Sequence, residues 1–357
     1  MHQRMSADSL LTPAIARQLG VGSWARSEAL IAGRNENFLV TTPSGESLFV
    51  KRLTDSIGET ERVAALLSAD RHRCAAGWAS FTPLLRAVDP DLGIVVYDAI
   101  SGLGLAAPGV AQTLEGGSWA ALGTLLARIH TARLDDVPAG SALADQFAVY
   151  SGYVDAISFD VFWHFTGAEL ALWSVIQSRS DSLLRTRAEI KEPPERVPTH
   201  GDIRLDQFIK TAQGPQLIDW ERYCRGDPAQ DLGMLLGDIF ATFLYQDFDQ
   251  NTAAHSTESE EFAQRWIHSV GVRATSAYAQ IWRAYGQVAT NLVTPAFIQR
   301  TGWILAWHLI ERISSRAQYQ STLSGRDKGV LGIAIFIASA PTQAMAAFGI
   351  EGDDSDA

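Results

Sequence analysis

The stretch THGDIRLDQFIKTAQGPQLIDWE, residues 199 to 221, decides how the rest of the chain is read. It carries four acids, Asp202, Asp206, Asp219 and Glu221, on either side of two short apolar runs, with His200 and Gly201 just before the first. QFIK and QLID read as β-runs, and TAQGP between them has turn chemistry. Antiparallel pairing about Gln213 sets Lys210 opposite Gln216 and Gln207 opposite Asp219, with Cβ atoms about 4.5–5.5 Å apart.

A side-chain amide oxygen and a carboxylate then converge on one point. Oxygen donors without Cys or His suit a hard ion, Mg²⁺ rather than zinc, completed by waters and phosphate oxygens. Asp202, in the loop before the first run, is left over to act on a hydroxyl. On spacing alone, surface acids beside a hairpin are an equal reading, because acidic turns are common.

Outward from this stretch the chain divides in character. Its 357 residues exceed one ordinary compact domain and imply two lobes. With 46% hydrophobic and 19% charged residues it is globular rather than disordered. The net charge of −11 argues against nucleic acid as main partner. Residues 1–100 read mainly as strand: NFLVTT and ESLFVKRL flank the turn PSGE, and LGIVVYDAI is a further strand. Between them ETERVAALLSA reads as a helix with Val63, Leu66 and Leu67 on one face. Residues 101–357 read mostly as helix, beginning with SWAALGTLLARIHTARL, where Ser118 is a candidate N-cap and Leu122, Leu125, Leu126 and Ile129 form a stripe. The tail tryptophans Trp266, Trp282, Trp303 and Trp307 read as core.

Cys74 and Cys224 have no metal-like spacing and imply a reducing, cytoplasmic setting. MHQRMSADSLLTPAIARQLG holds no run of signal-peptide length. The longest apolar run, Val330 to Ala340, is far short of the roughly 20 residues that span a bilayer and reads as a buried helix, so no membrane partner is expected. There is no G-x-x-x-x-G-K-[ST], G-x-S-x-G, H-E-x-x-H or C-x-x-C, and GLGLAAPG does not fit G-x-G-x-x-G, which removes the Walker-type, common hydrolase, zinc and dinucleotide readings.

HGDIRLDQ resembles the catalytic loop H-G-D-x-x-x-x-N of the aminoglycoside phosphotransferase and choline kinase family, relatives of the protein kinases. LIDWE resembles the strand that ends in the family's metal-binding Asp, and RGDPAQDLG resembles the segment after it. The order GRNENF, LFVKR, a helix with an early Glu, then IVVYDAISG is similar too, over about residues 28 to 240. The resemblance implies an α+β, bilobal protein-kinase-like fold with a small β-rich N-terminal lobe and a larger helical C-terminal lobe. It implies an ATP- and Mg²⁺-dependent enzyme that phosphorylates an alcohol.

Site residues follow from the resemblance. Asp202 orients the acceptor hydroxyl, with Arg204 and Asp206 lining the acceptor site or ordering the loop. Asp219 and Gln207 hold metal, Gln207 standing where the family has Asn. Lys51 holds phosphates, with Glu61 pairing to it and Glu59 as the other candidate. Gly33, Asn35, Asn37 and Phe38 form the phosphate-covering loop, and Asp98 and Ile100 belong to the adenine-contacting linker. His200 and Asp231 are structural. Glu221 reads equally as a further metal or acceptor contact and as a surface salt bridge. The Arg204 and Gln207 variant resembles natural-product relatives that phosphorylate Ser or Thr of a precursor peptide for a separate lyase. A small-molecule acceptor, an antibiotic resistance kinase and a nucleotide-binding pseudokinase are the alternatives.

Overall fold

The computed structural model describes residues 6–30, 35–53, 59–114, 116–140, 152–252 and 260–351. The chain forms two compact units, each assembled from separated stretches of sequence. Met1–Leu103, Arg133–Pro138 and Phe208–Tyr223 make the first; Gly104–Ala132, Ala139–Gln207 and Cys224–Ala357 make the second.

The first unit is built on an antiparallel sheet of β1 (Arg26–Leu30), β2 (Glu36–Thr41), β3 (Ser47–Arg52), β4 (Leu85–Asp89) and β5 (Ile94–Asp98), in the order β1-β2-β3-β5-β4. The alternation of β3 decides its faces: Leu48 and Val50 are buried in a core with Phe38, Val40, Ala87, Ile94 and Val96, while Phe49 and Lys51 point the other way. Ala7, Leu10, Ile15 and Trp24 close that core. Ala7 and Leu10 come from a 3₁₀ turn and Ile15 from α1 (Pro13–Leu19), which has Thr12 as N-cap accepting from Ile15 N–H, Pro13 in its first turn and Gly20 as a left-handed C-cap. Helix α2 (Glu59–Ala75) buries Val63, Leu66 and Ala69 at helical spacing.

Residues 208–223 join this unit through a hairpin and an aromatic patch. Phe208–Thr211 pairs with Gly214–Leu217 in the register Ile209↔Gln216 and Lys210↔Pro215. The expected pairing of Lys210 with Gln216, and of Gln207 with Asp219, is therefore one residue off. The loop is two residues, Ala212 and Gln213, closed by Gly214 at φ 114° and by Thr211 Oγ1, which accepts from Gln213 N–H and donates to Gly214 O. A one-residue shift moves each side chain to the other face. The ladder ends at Phe208↔Leu217, so neither Gln207 nor Asp219 belongs to it. Leu217 N–H donates to Phe81 O at 2.7 Å, Trp220 stacks on Trp78 at 5.3 Å, and Tyr223 OH lies 3.0 Å from His72 Nδ1.

The second unit is helical: α3 (Gly116–His130), a turn at Phe159–Phe162, α4 (Gly167–Gln177), α5 (Ser180–Glu189), α6 (Pro228–Thr252), α7 (Glu260–Val288), α8 (Pro295–Ala317), α9 (Gly325–Ser339) and α10 (Pro341–Ala347). Its predicted stripe of Leu122, Leu125, Leu126 and Ile129 is buried, with α3 packed along α7. Because α3 begins at Gly116, Ser118 lies within its first turn and is not the cap. Asp227, just before α6, accepts from Ala229 N–H through Oδ1 and from Arg300 Nε through Oδ2 at 2.7 Å. Helix α8 packs along α6 and buries Trp303 and Trp307; the side chain of Trp266 lies outside the described residues. Helix α9 buries Val330, Leu331, Ala334 and Ile337 and exposes Phe336. Among the described residues no single helix is long and apolar enough to cross a membrane.

Candidate active site

In the first unit, four side chains distant in sequence form a mesh of charges. Lys51 Nζ, on the sheet face away from the core, lies 2.5 Å from Asp219 Oδ1 and 2.9 Å from Glu221 Oε2. Glu221 Oε2 also accepts from Arg62 Nη2 at 2.7 Å, and Arg62 Nη2 donates to Asn35 Oδ1 at 3.2 Å. The mesh joins β3, α2, the residue before β2 and the segment after the hairpin. Burial alone would lower the pKa of Lys51, but Asp219 and Glu221 outweigh it and hold the ammonium above its ordinary value. Burial would raise Glu221, and Lys51 and Arg62 together hold it below the usual carboxylate value. Asp219 adopts φ 69°, one of two non-glycine residues at positive φ among those described. That left-handed backbone is tolerable for Asp but costs on the order of 1 kcal/mol. Tyr97 is opposite Phe49 on the same sheet face, and burial, then Asp219, Asp70 and Glu221, push its hydroxyl pKa up.

Two expectations change here. Glu61 is exposed and does not reach Lys51; the neighbouring Arg62 faces inward instead, and the lysine takes its carboxylates from Asp219 and Glu221. Helix register is the cause, since consecutive helical residues point about 100° apart. Glu59 is the first residue of α2, and its side chain lies outside the described residues. Asn37 and Phe38 are not in a loop either. Both sit in β2, paired on one side with β1 and on the other with β3, so their backbone N–H groups face ladder partners, and the Phe38 side chain is in the core. Gly33 lies outside the described residues. Asp98 and Ile100 line a cavity of about 420 Å³ with Arg73, Thr82 and Thr211, to which Lys51 and Asp219 do not contribute. The Asp98 carboxylate is held by Arg86 at 2.8 Å.

In the second unit, residues 200–207 form a loop ending in a 3₁₀ turn at Leu205–Gln207. Asp202 is partly exposed, and Arg204 lies between it (3.7 Å) and Asp206 (3.3 Å). The Gln207 side chain is buried. The fully buried Asp231 fixes the start of the loop: Oδ2 accepts from His200 N–H at 2.8 Å and Oδ1 from Gly201 N–H at 2.9 Å. His130 Nε2 is 3.2 Å from Oδ2, and its Nδ1 is 2.8 Å from Tyr285 OH. Desolvation would raise the pKa of Asp231, but His130, His200 and the Gly201 N–H hold it below its ordinary value. His200 Nδ1 in turn accepts from Asp202 N–H at 3.4 Å. Sequence reasoning placed Asp231 correctly as a brace and missed Arg62 as the partner of Glu221; the exposed and inward faces of α2 differ by one position, which a single short helix pattern does not resolve.

A family model for the phosphotransferase enzyme family matches residues 29–281. No curated protein sequence matches the chain. Among solved structures, the GDP complex of wild-type aminoglycoside 2'-phosphotransferase-IIIa is similar at TM-score 0.55 and 15% identity, covering 95% of this chain and 99% of that one. Amicoumacin kinase in complex with AMP-PNP, Ca²⁺ and amicoumacin is similar at 0.53 and 13%, covering 88% of each. A choline kinase from Streptococcus pneumoniae is similar at 0.52 and 16%, covering 92% and 98%. At such identities the likeness is one of fold, and the fold is kinase-like. The family match takes in Lys51, Asp202, Asp219 and Asp231 alike, and the chain belongs to the phosphotransferase enzyme family.

Proposed function

We propose that the chain moves the γ-phosphoryl group of ATP to the hydroxyl of a small-molecule alcohol. The observation that carries the reading is the Lys51–Asp219 ion pair, which joins residues 168 apart in sequence at the positions where the family resemblance puts a phosphate-binding Lys and a metal-binding Asp. Two of the three Lys51 N–H groups are taken by Asp219 and Glu221, which aims the ammonium and leaves a donor for a phosphate oxygen. Asp219 and Glu221 are hard oxygen donors, the type that suits Mg²⁺. When bound, Mg²⁺ would be held by Asp219 and, as the resemblance implies, by Gln207, and would neutralise charge on the phosphates.

Asp202 accepts a hydrogen bond from the acceptor hydroxyl. The acceptor oxygen bonds to the γ-phosphorus, the bond from that phosphorus to the β,γ-bridging oxygen breaks, ADP leaves, and the hydroxyl proton passes to Asp202. Little else is asked of the protein in this reaction class beyond positioning and electrostatics. Small-molecule acceptors are favoured because the similar structures include an aminoglycoside kinase, an amicoumacin kinase and a choline kinase. An ATP-consuming enzyme of this kind would work in the cytoplasm.

The test is ADP release from Mg-ATP with a panel of aminoglycosides, macrolides, choline, ethanolamine and Ser/Thr-rich peptides. Turnover with a small alcohol supports the reading. Turnover with peptides alone moves the enzyme to the precursor-peptide class that hands its product to a lyase. Tight ATP binding without turnover on any acceptor makes the chain a nucleotide-binding module instead. Asp202→Asn should lower turnover by about 100- to 10,000-fold with ATP affinity unchanged, as calorimetry would report; lost ATP binding would take the role away from Asp202.

A further inference from the structure

Asp231 has a counterpart on the same helix that the phosphotransfer reading does not use. Asp238 lies seven residues further along α6, about 20° short of two full turns and about 10.5 Å along the axis, so the two carboxylates face the same way. Asp238 is as deeply buried. Its Oδ2 accepts from Leu205 N–H at 2.8 Å, and its Oδ1 lies 3.3 Å from His308 Nε2 on α8 and 3.6 Å from Arg312 Nε. Glu311 Oε2 is 3.9 Å from the other ring nitrogen of His308. The pattern of Asp231 is thus repeated: a helix carboxylate takes backbone N–H of the loop and is backed by a histidine from another helix.

The loop is held from both ends as a result. The Gly201 and Leu205 N–H groups are four residues apart, at most about 14 Å of extended chain. The segment that carries Asp202 and Arg204 is thus tied at two points on α6. The approach of α8 has its own cause in Gly233 and Gly237. A Cβ at Gly233 would stand 2.7 Å from Thr301 O, and one at Gly237 would stand 3.0 Å from His308 Cδ2. Glycines inside a helix are unfavourable relative to Ala; here they let α8 lie close enough to α6 for His308 to reach Asp238.

We propose that Asp238 and His308 form a second pin of the loop that carries Asp202, making Asp238 a positioning residue for phosphoryl transfer that acts through the Leu205 N–H. The catalytic consequence rests on the role of Asp202 proposed above; the pin itself does not.

Amide hydrogen exchange of the ligand-free protein tests the pin without any acceptor. In Asp238→Ala the Leu205 amide should exchange about 10- to 100-fold faster, with the His200 and Gly201 amides, held by Asp231, unchanged. In Asp238→Asn, which keeps an acceptor oxygen, Leu205 should stay protected. His308→Gln should fall between the two. Equal acceleration of all three amides, or none at Leu205, overturns the pin. Hydrolysis of Mg-ATP by water, read beside calorimetric AMP-PNP affinity, tests the consequence: Asp238→Ala should lower turnover with affinity unchanged, and Asp238→Asn should restore it. Leu205 released at full turnover would leave the pin standing and overturn the positioning role. Asp202→Asn retaining turnover would instead overturn the reading of Asp202.

Discussion

Asp219 and Glu221 are held by side-chain cations, Lys51 and Arg62; Asp231 and Asp238 are held by backbone N–H groups and histidine rings, with Arg312 also beside Asp238. The first pair is partly exposed, the second almost wholly buried. Ammonium and guanidinium groups on flexible stems can change partner when an anion arrives, at small cost. A backbone N–H has no such freedom, and an acceptor removed from it in the interior leaves an orphan. The mesh can therefore exchange partners more readily, whereas the braces fix where the loop runs.

Breaking a brace should have the largest effect. Asp231→Asn has one amide oxygen for two loop N–H groups and turns N–H against one of them, so stability should fall by about 3–5 kcal/mol in urea unfolding at pH 7. A change below about 1 kcal/mol would mean that the loop finds other acceptors and that the two regions do not differ as argued.

How far the sequence discloses each region follows the same division. The brace at Asp231 is visible because it sits in the local run GDPAQDLG, and Asp202 because it sits in HGD. Strands β2, β3 and β5 are visible through period-2 alternation. The partners of Lys51 are hidden because they come from a segment 168 residues away and depend on a hairpin register that Gly214 and a two-residue loop set one step from the expected one. Asp238 is hidden for a different reason. Its signal is the spacing Asp231-x-Gly233-x-x-x-Gly237-Asp238, acids two turns apart with glycines between, and this has meaning only once α8 is known to pack there.

The acid limb of stability separates the regions next. Burial would raise Asp238, but His308, Arg312 and the Leu205 N–H lower its pKa from 3.8 to about 2. A depressed carboxylate stabilises the fold above its unfolded value and loses that contribution as pH falls through the folded one. The difference is worth about 2 kcal/mol at neutral pH. Asp238→Asn should therefore be less stable than the parent by about that amount at pH 7, and the gap should close between about pH 4 and pH 2. A gap that is constant with pH would show that the charge of Asp238 contributes nothing.

The mesh should respond differently. Glu221→Gln keeps an oxygen for Lys51 and Arg62 but loses its charge, and should cost about 1 kcal/mol of stability. Its main effect should be on nucleotide affinity, measured by calorimetry with AMP-PNP, because Lys51 is no longer aimed by two carboxylates. Exchange of the His200 and Gly201 amides should not move. A stability loss as large as that of Asp231→Asn would make the mesh a folding element like the braces.

The smallest effect sharpens the contrast within a single turn of α2. Glu61 and Arg62 are adjacent, yet Glu61 faces solvent and Arg62 reaches Glu221 and Asn35. Glu61→Ala removes an exposed charge from the first turn of a helix, where the macrodipole interaction is worth about 0.3–1 kcal/mol, and the better helix propensity of Ala offsets part of that. Stability and AMP-PNP affinity should both stay within about 0.5 kcal/mol of the parent. Arg62→Ala should weaken nucleotide binding, since Glu221 then loses the cation that holds it against Lys51. If Glu61→Ala weakened binding and Arg62→Ala did not, the lysine would take its carboxylate from the helix when nucleotide is bound, and the Arg62–Glu221 pair would be only the resting arrangement.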